Sequence, residues 1–231
     1  SITFTWNLFT FDHYISLFTI GNTQEALKNT LFLGLLSGGV CLLMGFMISY
    51  MEIRRPSFAS STIAFLGVLP VAVPGVVYGI GLLWTYLHSP LYGTIWILLL
   101  AYIAKYLPYA IVVSRTSILQ LNRELEESAR MSGARPLMVL RSITMPILKP
   151  ALVTIFVFVM LKSVMELSAS VLLYSPRGPV LSVLTWSYME TGNFQFAAAI
   201  GVVQSLILVG LVILTRYIFR IRLESAIGRG K

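Results

Sequence analysis

Long apolar runs alternate along this chain with short polar connections, and the runs are of membrane length. Five stretches, residues 27–50, 60–87, 91–114, 150–173 and 195–219, each come near the ~20 residues a helix needs to cross a hydrocarbon layer. A helix satisfies its own backbone in lipid, so the pattern predicts an all-α membrane protein with five transmembrane helices. Residues 1–26 read differently. Phe4, Trp6, Phe9, Phe11, Tyr14 and Phe18 are interspersed with polar residues, as in a segment lying at the membrane interface. Asn22 followed by Glu25 resembles a helix cap leading into the first span. The chain begins at Ser1 without a basic leader, so no signal peptide is expected, and it reads as a trimmed product or the later part of a longer chain. The organisation expected is an interfacial segment over 1–26, a membrane domain over 27–219 carrying a polar loop at 115–149, and a basic tail over 220–231.

The polar loop has a pattern of its own. Leu121, Leu125, Ala129 and Ser132 recur at helical spacing, which predicts an amphipathic helix with charged residues on its other face. Gly133 permits a turn that a residue with a β-carbon resists. Pro136 suits the first turn of a second short helix through Leu137, Leu140 and Ile143. Pro146 and Pro150 are expected to end that helix and start the next span. The alternative is a basic loop that only anchors its neighbours to the membrane surface.

Composition narrows the class. Hydrophobic residues make up 57% of the chain and charged residues 11%, and the mean hydropathy is +0.83. A soluble domain carries about 25% charge. The net charge of +8 does not imply nucleic acid, because no aromatic-basic patch is present and the basic residues gather at the ends of apolar runs. Thirteen Lys and Arg fall on one side of the five spans, in 54–55, 115–149 and 216–231; only Lys28 and Arg177 fall on the other. The excess of Lys and Arg in cytoplasmic loops puts the polar loop and the C-terminus in the cytoplasm and the N-terminus outside. Cys41 is the only cysteine and lies in an apolar run, so no disulfide forms within the chain. His13 and His88 stand apart, no metal-ligand spacing occurs, and there is no phosphate-binding loop or catalytic constellation. The chain is therefore expected to bind no cofactor and to be no enzyme.

Within the spans, Gly34/Gly38, Gly75/Gly79 and Ala197/Gly201/Ser205 have the small-residue spacing that lets helices approach closely. Pro70 and Pro74 free backbone carbonyls in the second span, which predicts a kink or break there, either static or part of a gate. Lys162 and Glu166 stand one turn apart in the fourth span. A charge at the bilayer centre costs ~2.5–3.5 kcal/mol on insertion scales, so such residues face a partner or a pathway. Two readings stay open: the two neutralise each other at i,i+4, or they line a polar path continued by Ser163, Ser168 and Ser170. Lys105 in the third span is similar, with a stem long enough to snorkel.

One motif gives these features a context. The polar loop contains Glu127-Ser128-Ala129, three residues, Gly133, nine residues, then Ile143-Thr144-Met145-Pro146. This resembles the EAA signature of permease subunits in bacterial ABC importers, with Ser128 and Met145 as departures of similar size. The runs LPVAVPGVVYGIGL, LAYIAKYLPYAI and ELSASVLLYSPRGPVLSVLTW look like the second half of iron(III)-type permeases over roughly residues 27–220. The resemblance implies the type I importer transmembrane domain in a bacterial inner membrane. It implies a binding protein outside that delivers the solute, a second permease half, fused or separate, and a cytoplasmic ATPase dimer that holds ATP and Mg. Glu126, Glu127, Ser128, Ala129, Gly133, Ala134, Ile143 and Pro146 would couple to that ATPase. Pro70, Pro74, Lys105, Lys162, Glu166, Ser168 and Ser170 are candidates for the translocation path. Iron(III) is the expected cargo; the same machinery importing a polyamine, thiamine, phosphonate or sulfate is the alternative, and an ion-coupled carrier a more distant one.

Overall fold

The computed structural model describes residues 12–19, 21–176 and 178–219. The aromatic residues Phe4, Trp6, Phe9 and Phe11, the tail 220–231 and Arg177 lie outside the described residues. A short helix α1 (Asp12–Thr19) precedes the first membrane helix α2 (Gly21–Arg54). The second span is two helices, α3 (Phe58–Val68) and α4 (Gly75–Tyr86), and α5 (Ile95–Leu119) follows. Then come α6 (Arg123–Met131), α7 (Pro136–Val139), a π-helical turn (Leu140–Thr144) and α8 (Met145–Val164). A single turn α9 (Ser170–Leu173), α10 (Leu181–Glu190) and α11 (Phe194–Phe219) complete the described fold.

The central helix is α2, which packs along both α5 and α8. Close approach explains its glycines: a β-carbon at Gly38 would lie 3.0 Å from the Phe156 carbonyl oxygen, and one at Gly45 only 2.6 Å from the Ala110 β-carbon. Buried hydroxyls then join the helices. The Ser37 and Ser163 hydroxyls lie 2.7 Å apart, and the Ser49 hydroxyl donates to the Ile111 carbonyl at 2.9 Å. Such bonds satisfy polar groups for which lipid offers no partner. The same small-residue device carries α4, where a β-carbon at Gly79 would meet Leu172 at 2.8 Å. In α11 Ala197 is buried, but among the described residues a β-carbon at Gly201 would meet nothing within 4 Å, and Ser205 is exposed. Only 17% of the apolar window of α11 is buried, against 50% for α5, so α11 flanks the bundle.

Several boundaries depart from expectation. Helix α2 starts at Gly21, which places Asn22 within the helix and not at its cap. The second span is broken outright: α3 and α4 meet at 113° across Pro70 and Pro74. Pro70 sits in a 3₁₀ turn over Leu69–Ala72, and Pro74 takes an extended ψ of 140° at the start of α4. Pro146 and Pro150 do not end a helix. The Met145 N–H bonds to the Leu140 carbonyl five residues back, and this π register absorbs proline's missing donor, so helix runs unbroken from Pro136 to Val164. The fourth span stops at Val164 rather than reaching 173, and the Gln204 amide donates to the Val164 carbonyl at 2.7 Å, satisfying that end.

Candidate functional site

Two polar constructions stand out, each built around a buried glutamate. The first is the handle formed by α6 and α7. Asn122 caps α6, accepting from the Glu124 N–H at 3.0 Å, a cap worth about 1 kcal/mol. Gly133 closes the helix with φ of 87°, the left-handed conformation in which glycine avoids a steric penalty. Around it the Gly133 N–H reaches the Arg130 carbonyl at 2.9 Å, and the Ala134 N–H reaches the Ala129 carbonyl at 3.1 Å. Pro136 then occupies the first turn of α7. The turn at Gly133 and the restart at Pro136 are as the sequence predicts, but burial does not follow the apolar periodicity. Leu125 is 48% exposed and Ser132 is exposed, while Glu126 is buried.

The burial of Glu126 has a specific cause. Its carboxylate lies 2.9 Å from the Arg54 Nε at the end of α2 and accepts from the Thr144 hydroxyl at 2.8 Å. The Arg54 Nη2 also donates to the Leu121 carbonyl at 3.1 Å. Charge pairing outweighs the apolar periodicity, because an unpaired buried carboxylate costs several kcal/mol. Glu126 therefore anchors the handle to the membrane helices and leaves Glu127, Ser128 and the tip outside. Glu127 pairs with Arg123 at 2.9 Å, an exposed bridge worth at most about 1 kcal/mol. Ala129, Ala134 and Ile143 are half-buried, and Pro146 is exposed where α8 begins. Met131, Leu137 and Met138 flank the turn at 90%, 76% and 61% exposure, an apolar tip that the sequence reading passed over.

The second construction lies near the middle of α5. The Lys105 ammonium donates to both Glu166 oxygens, at 2.7 and 2.8 Å, and to the Ser168 hydroxyl at 2.9 Å. The Tyr106 and Ser168 hydroxyls and the Ala169 N–H also donate to the Glu166 carboxylate. The i,i+4 pairing of Lys162 with Glu166, one of the two readings the sequence leaves open, does not occur. Glu166 lies beyond the end of α8, so the i,i+4 geometry is lost; Lys162 is exposed, its ammonium 5.7 Å from the Phe158 ring centre. Ser170 is fully buried and bonded to Tyr102 at 2.7 Å, which makes it part of the packing and not of an open wall. Ser163 is likewise consumed by Ser37.

This knot joins the broken span to the rest. A β-carbon at Gly75 would lie 2.6 Å from the Ser168 oxygen and 3.0 Å from the Lys105 nitrogen, so α4 begins directly on the cluster. Beside it is a groove of about 470 Å³ lined by Pro70, Val71, Val73, Lys105, Tyr106 and Phe158, among others. Among the described residues Lys105 is the one cation in that lining, and it remains 25% exposed. The structure thus gathers Pro70, Pro74, Lys105, Glu166 and Ser168 into one region and leaves Lys162 and Ser170 out of the groove. Among the described residues no His, Cys, Asp and Glu cluster could hold a metal ion.

Comparison with known proteins agrees with this architecture. A family model described as "Binding-protein-dependent transport system inner membrane component" matches residues 40–224. The Fe(3+)-transport system permease protein FbpB 2 of Haemophilus influenzae is 29% identical over 213 residues, covering 89% of this chain and 42% of that protein. The chain thus spans less than half the length of this relative. A putative 2-aminoethylphosphonate transport system permease protein, PhnV, of Salmonella paratyphi A is 28% identical, over 84% of this chain and 74% of that one. Among solved structures, a bacterial alginate ABC transporter in complex with an alginate pentasaccharide-bound periplasmic protein aligns with a TM-score of 0.74. It shares 21% identity, and the alignment covers 93% of this chain and 84% of that one.

Proposed function

The chain belongs to the family of inner membrane components of binding-protein-dependent transport systems, and from that premise we propose that it forms half of a translocation path driven through the Gly133 handle by a separate cytoplasmic ATPase. The observation that carries this reading is the handle itself. A helix–turn–helix with EAA spacing is bound to α2 by a buried ion pair and to the π turn before α8 by a hydrogen bond, and it presents Met131, Leu137 and Met138 outward. An element so anchored moves as a rigid body, and an apolar tip with charged flanks suits a groove on a partner protein. In this reading ATP and Mg belong to the ATPase dimer, and this chain hydrolyses nothing. The charge distribution favours a cytoplasmic handle and C-terminus and an outside N-terminus. The apolar face of the broken span, including Val71 at 73% and Trp84 at 79% exposure, supports pairing with a second permease half. A binding protein outside the membrane delivers the solute.

For the cargo we propose iron(III), on the strength of FbpB 2 and a second ferric permease relative; an organophosphonate or molybdate-type oxyanion is the alternative, favoured by PhnV, by a molybdate/tungstate permease relative from Pyrococcus abyssi and by the Lys105 cation in the groove. The test is ATP hydrolysis by the assembled transporter in nanodiscs, measured with empty and loaded binding proteins. The iron(III)-loaded protein is expected to stimulate hydrolysis above the empty one. Stimulation by a phosphonate- or molybdate-loaded protein alone would reassign the cargo, and hydrolysis indifferent to every loaded protein would contradict the importer reading.

A further inference from the structure

On the flank where α2 packs against α8, away from the Glu166 knot, lies a second groove, of about 430 Å³. Its wall is almost wholly apolar, with Leu42 from α2 and Met145, Leu152 and Phe156 from the α8 side. Its rim carries two cations, Arg141 in the π turn and Lys149 one turn into α8, both exposed. Residues 141, 145, 149, 152 and 156 follow helical spacing, so charge and hydrocarbon form one stripe along a single helix face. The cations sit at the handle end of the stripe, and the apolar residues run away from them along α8.

We propose that this groove is a binding site for an anionic glycerophospholipid, with an acyl chain lying along Leu42, Leu152 and Phe156 and the phosphate held by Arg141 and Lys149. Three features on the molecule favour a lipid over a protein segment. The groove opens between two helices of membrane length, and none of its described lining residues belongs to the broken span proposed to meet a second permease half. Its polarity is divided end to end, like a phospholipid and unlike an amphipathic helix, whose polarity divides side to side. Arg141 and Lys149 are the charged residues of its lining among the described residues, and basic pockets between membrane helices suit anionic headgroups. Arg141 supplies a planar fork of donors for phosphate; Lys149 can extend its ammonium to the headgroup while its stem stays against the apolar wall. The site lies directly beneath the handle, so a bound lipid would brace the π turn from which the handle projects.

The experiment uses the assembled transporter in nanodiscs of equal parts phosphatidylglycerol and phosphatidylethanolamine, followed by release and native mass measurement of the lipid retained. Wild type is expected to retain phosphatidylglycerol selectively. Each Lys or Arg near an anionic lipid surface strengthens binding about fivefold, so R141Q/K149Q should lose on the order of 25-fold in retention. Should that variant fail to assemble, Leu42→Trp, which fills the groove from the opposite helix and spares both cations, is expected to lose the lipid as well. Equal retention of the two lipids, or unchanged phosphatidylglycerol in either assembled variant, would overturn the proposal. So would a cysteine at Leu42 that crosslinks to a second permease half in the intact transporter, because the groove would then be a protein interface.

Discussion

The two buried glutamates invite comparison, because they use the same chemistry to different ends. Glu126 and Glu166 each sit at 2–5% exposure, each faces one basic side chain from another helix, and each accepts from a hydroxyl. At the handle the cation is also buried, Arg54 at 8%, and what is left exposed is the apolar tip. In the membrane the cation is 25% exposed and borders a groove beside a broken helix. The first arrangement fixes one element to another. The second holds the α5, α8 and α9 segments together and keeps a charge at the edge of accessible space. Burial of the partner, more than the ion pair itself, separates an anchor from a candidate pathway residue.

The comparison breaks hardest at Glu166. Glu166→Ala leaves Lys105 without its carboxylate and should cost about 3–5 kcal/mol, read as a fall in thermal stability of the purified protein in detergent. A variant as stable as wild type would mean the knot holds nothing. K105M/E166L removes both charges and is expected to recover most of that stability while transport stays impaired; full transport would remove Lys105 from the pathway. At the handle, Glu126→Ala should cost about 1–3 kcal/mol for the orphaned partners and abolish stimulated ATP hydrolysis with the membrane helices still assembled. Unaltered stimulation would show that the anchor is not needed. Gly133→Leu places a side chain at φ of 87°, a strain of roughly 1–2 kcal/mol, and should uncouple hydrolysis from transport, measured side by side in proteoliposomes. Lys162→Leu should change stability by no more than about 0.5 kcal/mol and leave transport unaltered, since Lys162 is exposed and Glu166 is satisfied elsewhere.

What the sequence disclosed follows from the range of the interactions involved. The apolar spans, the break at Pro70 and Pro74, and the turn at Gly133 depend on residues within a few positions of one another, and all three are present, with the fourth span displaced to Pro136–Val164. The partner of Glu166 is not legible in the sequence because it lies 61 residues away, and because local spacing offers Lys162 in a helix that ends at Val164. Glu126 was hidden in the same way: Arg54 is far off in sequence, and an apolar periodicity through Leu125 pointed to the wrong face. The helix α10 has no strong periodic signal and is set in place from α2, where the Leu181 N–H donates to the Thr30 hydroxyl at 2.9 Å. A usable sign of both knots did exist: a carboxylate with a hydroxyl or basic residue on a neighbouring span, in a chain with only nine Asp and Glu, has few places to go.

The central claim, that the handle is the contact through which an ATPase drives this permease, is open to direct test. Cys41, the chain's single cysteine, is buried, so new thiols at the tip report without interference. Met131 and Met138 replaced singly by cysteine in the assembled transporter should crosslink to a cysteine series along the ATPase surface groove, with a pattern that changes when ATP is bound. Cysteines at both positions that stay free in a transporter still showing stimulated hydrolysis would contradict the account.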